Sequence, residues 1–146
     1  MLNADFHHDS HIRIDNKRVA GIVLKDDSLL LMYRNKKGRE FYAFPGGHMQ
    51  EGENETATLK REIQEETSLS VKDITPAFTL TDHVKNKVDY YYTATWESGD
   101  AVLGGEESEK NSPENLYKLE WIKLTAIDNL NILPKAAKEW VQETLT

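Results

Sequence analysis

Three glutamates stand at a spacing that gathers carboxylates. Glu62, Glu65 and Glu66 occupy i, i+3 and i+4 of the stretch LKREIQEETSL, so a helix there places all three on one face. Like charges so arranged cost roughly 0.2–0.5 kcal/mol per pair in an isolated helix, and only Lys60 and Arg61 are near enough in sequence to soften this. A divalent cation removes the cost and turns the cluster into a site. Hard oxygen ligands, in a chain with no cysteine and no obvious histidine pair, favour Mg2+ or Mn2+ over zinc. Glutamate-rich helix faces are more often plain solvated surface, so the cluster alone leaves both readings open.

The element that must carry these carboxylates is a helix over residues 54–67. Asn54 suits the N-cap, Glu55 the first turn, and Ala57, Leu59 and Ile63 supply apolar contacts. Ahead of it, Pro45-Gly46-Gly47 breaks regular structure. Residues 18–25 and 28–34 read as short strands joined by a turn at Asp26-Asp27. A basic loop follows, with Arg34, Lys36, Lys37 and Arg39, and then residues 41–44. Beyond the helix, residues 87–97 alternate, with Val88, Tyr90, Tyr92, Ala94 and Trp96 facing one way. Residues 104–115 read as a polar, acidic loop and 117–124 as a strand. A last helix starts at Pro134 and presents Ala137, Trp140 and Val141 at i, i+3 and i+4. Two substantial helices mixed with about five strands predict an α/β or α+β layered domain.

The chain has 146 residues and no repeat or linker that divides it, which suits one domain over 17–146 behind a polar segment at 1–16. Its net charge of −7 argues against a nucleic-acid polymer or an anionic membrane as partner, because those reward Lys and Arg. It also demands a positive element if phosphate is to be bound. The longest apolar runs fall far short of the ~20 residues that span a bilayer. The N-terminus, with His7, His8 and His11, is polar, so no secretory signal is expected and the three histidines read as a solvated terminus. The lack of cysteine suits a reducing compartment, and a cytoplasmic location is expected.

The flanks of the glutamate cluster favour the site over the solvated surface. Gly47, five residues, Glu53, seven residues, then Arg61-Glu62-Ile63-Gln64-Glu65-Glu66-Thr67-Ser68-Leu69 resembles the Nudix hydrolase signature G-x5-E-x7-R-E-U-x-E-E-x-G-U, where U is a bulky aliphatic. Every position matches except the second glycine, here Ser68. At roughly 5–10% usage per residue type, the six matching Gly, Glu and Arg positions coincide by chance in about one window in ten million. The strands, the FPGG lead-in and the C-terminal WIKL-plus-helix pattern extend the resemblance from about Arg18 onward. It implies an α/β/α sandwich with a mixed β-sheet. It also implies metal-dependent hydrolysis of the pyrophosphate in a nucleoside diphosphate derivative. Position by position, Glu62, Glu65 and Glu66 become metal-binding and water-activating carboxylates, and the Gly46 carbonyl a further ligand. Glu53 and Arg61 become an outer pair that orients them, with Gly47 beside them. The family glycine at position 68 ends the helix in left-handed backbone, so Ser68 bears on stability more than on chemistry.

Further candidates come from the same resemblance. The family often uses a distant loop glutamate, and GGEESEKNSPEN singles out Glu107, with Glu106 and Glu109 as neighbours. Arg34 and Arg39 suit phosphate contacts, since charge-assisted bonds to phosphate favour arginine. Phe44, Tyr42 and Tyr92 are candidates to stack a nucleobase, and His48 to line the site. There is no G-x-x-x-x-G-K-[ST] loop, G-x-S-x-G elbow, H-E-x-x-H motif or EF-hand loop. The expected substrate is a small-molecule (deoxy)nucleoside triphosphate, giving the monophosphate and pyrophosphate, with nucleotide sugars close behind. Residues 84–87 hold none of the proline or tyrosine that marks the ADP-ribose and dinucleoside-polyphosphate subgroups, which weakens those two readings. The alternatives are a nucleotide sensor without turnover and an acidic protein-interaction module. A homodimer is compatible with the sequence.

Overall fold

The computed structural model describes residues 2–3 and 12–146. His7, His8 and His11, and most of the 1–16 segment, lie outside the described residues. Along the chain come β1 (Leu2–Asn3), β2 (Lys17–Lys25), β3 (Ser28–Lys36), β4 (Arg39–Ala43) and β5 (Gly46–His48). Helix α1 (Glu55–Thr67) follows, then β6 (Ser70–Asp82), β7 (Lys87–Ser98) and α2 (Gly105–Lys110). Strands β8 (Asn115–Lys123) and β9 (Ile132–Leu133) lead to α3 (Lys135–Leu145).

All these strands share one mixed sheet. One edge of β2 runs parallel to β7, with Arg18 opposite Asp89 and Leu24 opposite Thr95. The other edge is divided. Its first half pairs antiparallel with β5, Val19 opposite Gly47 and Ala20 opposite Gly46. Only Leu24 and Lys25 pair with β3. Strand β3 therefore diverges from β2 after the hairpin and takes β4 and β8 as its own antiparallel neighbours. The cleft described below opens between these two halves.

The two-residue period of β2 explains the layers. Val19 and Val23 join Leu59 and Ile63 of α1 with Val88 and Tyr90 of β7. Ala20 and Ile22 point the other way, into a second cluster with Phe44, Tyr91, Ala137 and Val141. The sheet is covered on both faces, by α1 on one and α3 on the other, which is the α/β/α sandwich of mixed strands. Full burial of side chains such as Leu59 and Ile63 contributes about 1.5–3 kcal/mol each. Among the described residues no helix is long and apolar enough to cross a membrane.

Two local expectations need correction, and one long strand carries no clear signal in the sequence. The basic stretch 34–39 is not an open loop: β3 continues to Lys36 and β4 begins at Arg39, turning through Lys37 and Gly38 at φ 53° and 86°. The polar stretch 104–115 contains the short helix α2 and the start of β8, without the apolar period that would betray a helix. The long strand β6 has no clean alternation in sequence, because Asp73 at φ 51° and register shifts around Lys72 and Pro76 break its period.

Candidate active site

Helix α1 starts at Asn54 because its Oδ1 accepts the Ala57 N–H at 2.8 Å. Two turns on, Arg61 gathers the carboxylates. Its Nε and Nη2 donate to the two oxygens of Glu53 at 2.6 and 3.0 Å, a bidentate pair. Its Nη1 donates to Glu62 at 2.7 Å and, more weakly, to Glu65 at 3.4 Å. Nη2 also reaches the His48 carbonyl at 3.1 Å, tying β5 to the helix. Glu53 further accepts the Gln50 N–H at 2.9 Å and the Thr58 hydroxyl at 3.0 Å. The Arg61 hydrogen bond holds the Glu53 carboxyl far below its ordinary range, at about 2.

This pair has a testable consequence. A carboxyl whose folded pKa lies below its unfolded value stabilises the fold above about pH 4.5, and loses that contribution as pH falls towards 2. Replacing Glu53 by glutamine is expected to cost about 1–3 kcal/mol at pH 7, the scale of a hydrogen bond to a charged group. Urea denaturation should show the gap to wild type narrowing between pH 4.5 and 2. A gap constant with pH would contradict this assignment.

The three glutamates of α1, Glu62, Glu65 and Glu66, meet different surroundings. Glu65 is half-exposed, its side chain 54% accessible. The Glu62 carboxylate lies against Gly47, where an added Cβ would sit 2.2 Å from its Cδ. Burial raises its pKa, with Arg61 acting in opposition. Glu66 is 6% exposed. It accepts one long hydrogen bond, 3.4 Å, from the Gly46 N–H. Burial first, and then the neighbouring Glu107 charge, push its pKa up to about 8, against the pull of Arg18. Glu107 faces Glu66 and Glu62 from α2 and has no ion-pair or hydrogen-bond partner among the described residues.

These groups line one cleft of about 550 Å³. Arg34 borders it from β3, with its guanidinium stacked 3.7 Å from the Tyr117 ring and bonded to Asn115 and the Leu116 carbonyl. His48 and Phe44 also line it. Phe44 is buried edge-on against Tyr91 at 5.7 Å, so it offers a wall rather than a free stacking face. Arg39 is not brought to the cleft; beyond the tight turn its guanidinium lies over Phe41 at 5.0 Å. Tyr42 packs on Tyr33, and the Tyr92 hydroxyl donates to Glu55 on the α1 side, so neither reaches it. Arg18 and Tyr117, neither of them a candidate from sequence, do reach it. Arg18 donates to the Phe44 carbonyl at 3.2 Å. No local motif marks either residue, since strand pairing alone carries them there. A neighbouring recess of about 470 Å³ shares Arg18 and Phe44 and adds Asp89, Tyr91, Leu133 and Pro134.

Ser68, the departure from the family pattern, ends α1 in left-handed backbone at φ 67° and ψ 11°. A non-glycine residue there costs about 1 kcal/mol.

Comparison with known proteins settles the family. The NUDIX domain model matches residues 15–144. The chain belongs to the Nudix hydrolase family. Nudix hydrolase YvcI of Bacillus subtilis (strain 168) is 29% identical over 126 residues, covering 81% of this chain and 73% of that protein. The 8-oxo-dGTP diphosphatase of Buchnera aphidicola subsp. Schizaphis graminum is 38% identical over 55 residues, 36% of this chain and 42% of that enzyme. A MutT structure from work on Aliivibrio salmonicida and Vibrio cholerae superposes with a TM-score of 0.66 at 19% identity. It covers 87% of this chain and 92% of that one, a likeness of fold. As a Nudix hydrolase the protein acts on a pyrophosphate bond of a nucleotide substrate, and such enzymes generally use divalent metal ions.

The donor set fits such a cation. Among the described residues no three carboxylates or imidazoles stand converged as ligands; Glu62 and Glu65 share the Arg61 Nη1, at 2.7 and 3.4 Å. Every group offered is a hard oxygen, and the glycine pair lets the Glu62 carboxylate approach β5. The buried Glu66 carboxylate, repelled by Glu107 and Glu62, gains from any positive charge placed beside it.

Proposed function

We propose that this Nudix hydrolase is a Mg2+-dependent pyrophosphohydrolase of small nucleotides, with a (deoxy)nucleoside triphosphate, including oxidised forms, as leading substrate. The observation that carries the reading is the buried Glu66 carboxylate, set between Glu62 and Glu107 in a cleft bordered by Arg18 and Arg34. Glu62, Glu65, Glu66 and the Gly46 carbonyl would hold the metal, and Mn2+ would substitute for Mg2+. When bound, the metal neutralises phosphate charge and acidifies water. Glu53 and Arg61 keep Glu62 and Glu65 in place. Arg34, fixed by Tyr117 and Asn115, binds a phosphate, and His48 lines its path. Glu107, with no partner of its own, takes the proton of the attacking water on a carboxylate oxygen as the new P–O bond forms and pyrophosphate leaves. The recess walled by Phe44, Tyr91 and Pro134 holds the base. A cytoplasmic setting, where free nucleotides and Mg2+ coexist, belongs to the same reading. The 8-oxo-dGTP diphosphatase match, confined to 55 residues, supports a triphosphate substrate.

The test is a hydrolysis panel of (d)NTPs, 8-oxo-dGTP, nucleotide sugars and ADP-ribose, with Mg2+ and with EDTA. Nucleoside monophosphate and pyrophosphate are expected from a triphosphate, with activity falling at least about a hundredfold in EDTA. Undiminished activity in EDTA would refute the mechanism. Binding without turnover would favour a sensor, and faster cleavage of a nucleotide sugar would reassign the substrate.

A further inference from the structure

We propose that Ser68 is a positioning residue for Glu107: its hydroxyl anchors the segment that presents Glu107 to the buried end of α1. The inference rests on the reading of Glu107 as a group that acts on the substrate. A helix leaves its last four carbonyls without intrahelical partners. In α1 the Gln64 carbonyl accepts the Ser68 N–H at 3.0 Å, closing the final turn. The carbonyls of Glu66 and Thr67 accept from outside the helix. Gly104 N–H donates to Glu66 at 2.9 Å and Val102 N–H to Thr67 at 3.0 Å. The Ser68 hydroxyl completes the junction by donating to the Val102 carbonyl at 2.9 Å. Val102 is thus held at both its N–H and its C=O. Five residues later the same segment delivers Glu107 beside Glu66 and Glu62.

At its far end α2 is held by Asn111, whose Oδ1 accepts the Tyr117 N–H at 3.0 Å. Little else fixes it. None of its residues is buried, its N-cap makes no side-chain hydrogen bond, and its one ion pair, Lys110 to Glu106 at 3.5 Å, is internal. A six-residue helix of this kind has no stability of its own. Its position follows from the two junctions. Glycine, the family residue at 68, would make the left-handed turn without strain but offer no hydroxyl. Serine at this position gives up some backbone ease and gains a hold on Val102.

The consequence is that restoring the family glycine should help the fold and hurt the enzyme. S68G, S68A, E107Q and the double variant S68G/E107Q are to be compared with wild type by thermal melting, amide hydrogen exchange and steady-state kinetics with Mg2+ and the preferred nucleotide. S68G is expected to melt at or above the wild-type temperature, with Val102 and Gly104 amides exchanging about threefold to tenfold faster. Its kcat should fall about threefold to tenfold with KM within about twofold. S68A should show the same exchange and kcat changes but melt lower. In the E107Q background, S68G should cost nothing further. Unchanged exchange in S68G would overturn the proposal, as would unchanged kcat in S68G while E107Q is impaired. So would a full additional loss in the double variant. Wild-type activity in E107Q would instead refute the reading of Glu107, and the positioning role with it.

Discussion

Glu66→Gln is expected to abolish most hydrolysis while stabilising the metal-free protein at neutral and basic pH. The two effects share one cause. Glu66 is 6% exposed, and burial with the nearby Glu107 charge lifts its pKa to about 8. In the unfolded chain the same carboxyl ionises near 4.5. Between those values the folded state keeps a proton that the unfolded state releases, so stability falls as pH rises from about 4.5 to 8. The full loss is on the order of 3–5 kcal/mol. Glutamine carries no charge to bury, so the variant should lack this slope. Its kcat should drop at least about a hundredfold, since the carboxylate proposed to hold the metal is lost. Thermal melts in EDTA at pH 5, 6.5 and 8, with kcat measured in Mg2+, check both. Parallel pH–stability curves for wild type and variant would contradict the account of Glu66. So would retained activity.

The two adjacent glycines of β5 should respond in opposite ways to alanine. At Gly46 a Cβ would lie 2.1 Å from the Val19 carbonyl oxygen and 2.7 Å from the Ala20 Cα, both backbone atoms of the central strand. Nothing there can swing aside, so Gly46→Ala should separate β5 from β2 and cost more than about 3 kcal/mol, the range of severe core disruption. At Gly47 the clash is with the Glu62 carboxylate, the mobile end of a side chain. Gly47→Ala should keep the fold, with a melting temperature within about 4 °C of wild type. It should nonetheless lower kcat by about tenfold to a hundredfold, because displacing by about 1 Å a carboxylate proposed to hold the metal is costly. Circular dichroism melts beside kinetics separate the cases. A folded, active Gly46→Ala, or an active Gly47→Ala, would show that β5 is not packed as described.

Much of the frame was legible because its signals are local. Asn54, Leu59 and Ile63 announce α1 through capping and a 3.6-residue period. The alternation from Val88 to Trp96 announces β7 and names the face turned to α1. Elsewhere the local signal is weak. Strand β6 carries Asp73 in left-handed backbone and bulges near Pro76, which scramble a period of two. The segment leading into helix α2 is held to the end of α1 by the backbone N–H groups of Val102 and Gly104, contacts that residue type does not record.

The site divides along the same line. Spacing determines angle, so the register of Glu62, Glu65 and Glu66 on one helical face, with Arg61 among them and Glu53 two turns back, follows from sequence. Depth is a tertiary quantity. Only the packing of β5 against β2 and α1 buries Glu66, while Glu65 stays half-exposed. The divergence of β3 from β2 brings Arg18, Arg34 and Tyr117 to one cleft and leaves Arg39 outside. Helix geometry is set by neighbours three and four residues away. The side chain beside Glu66 is decided by strands dozens of residues distant.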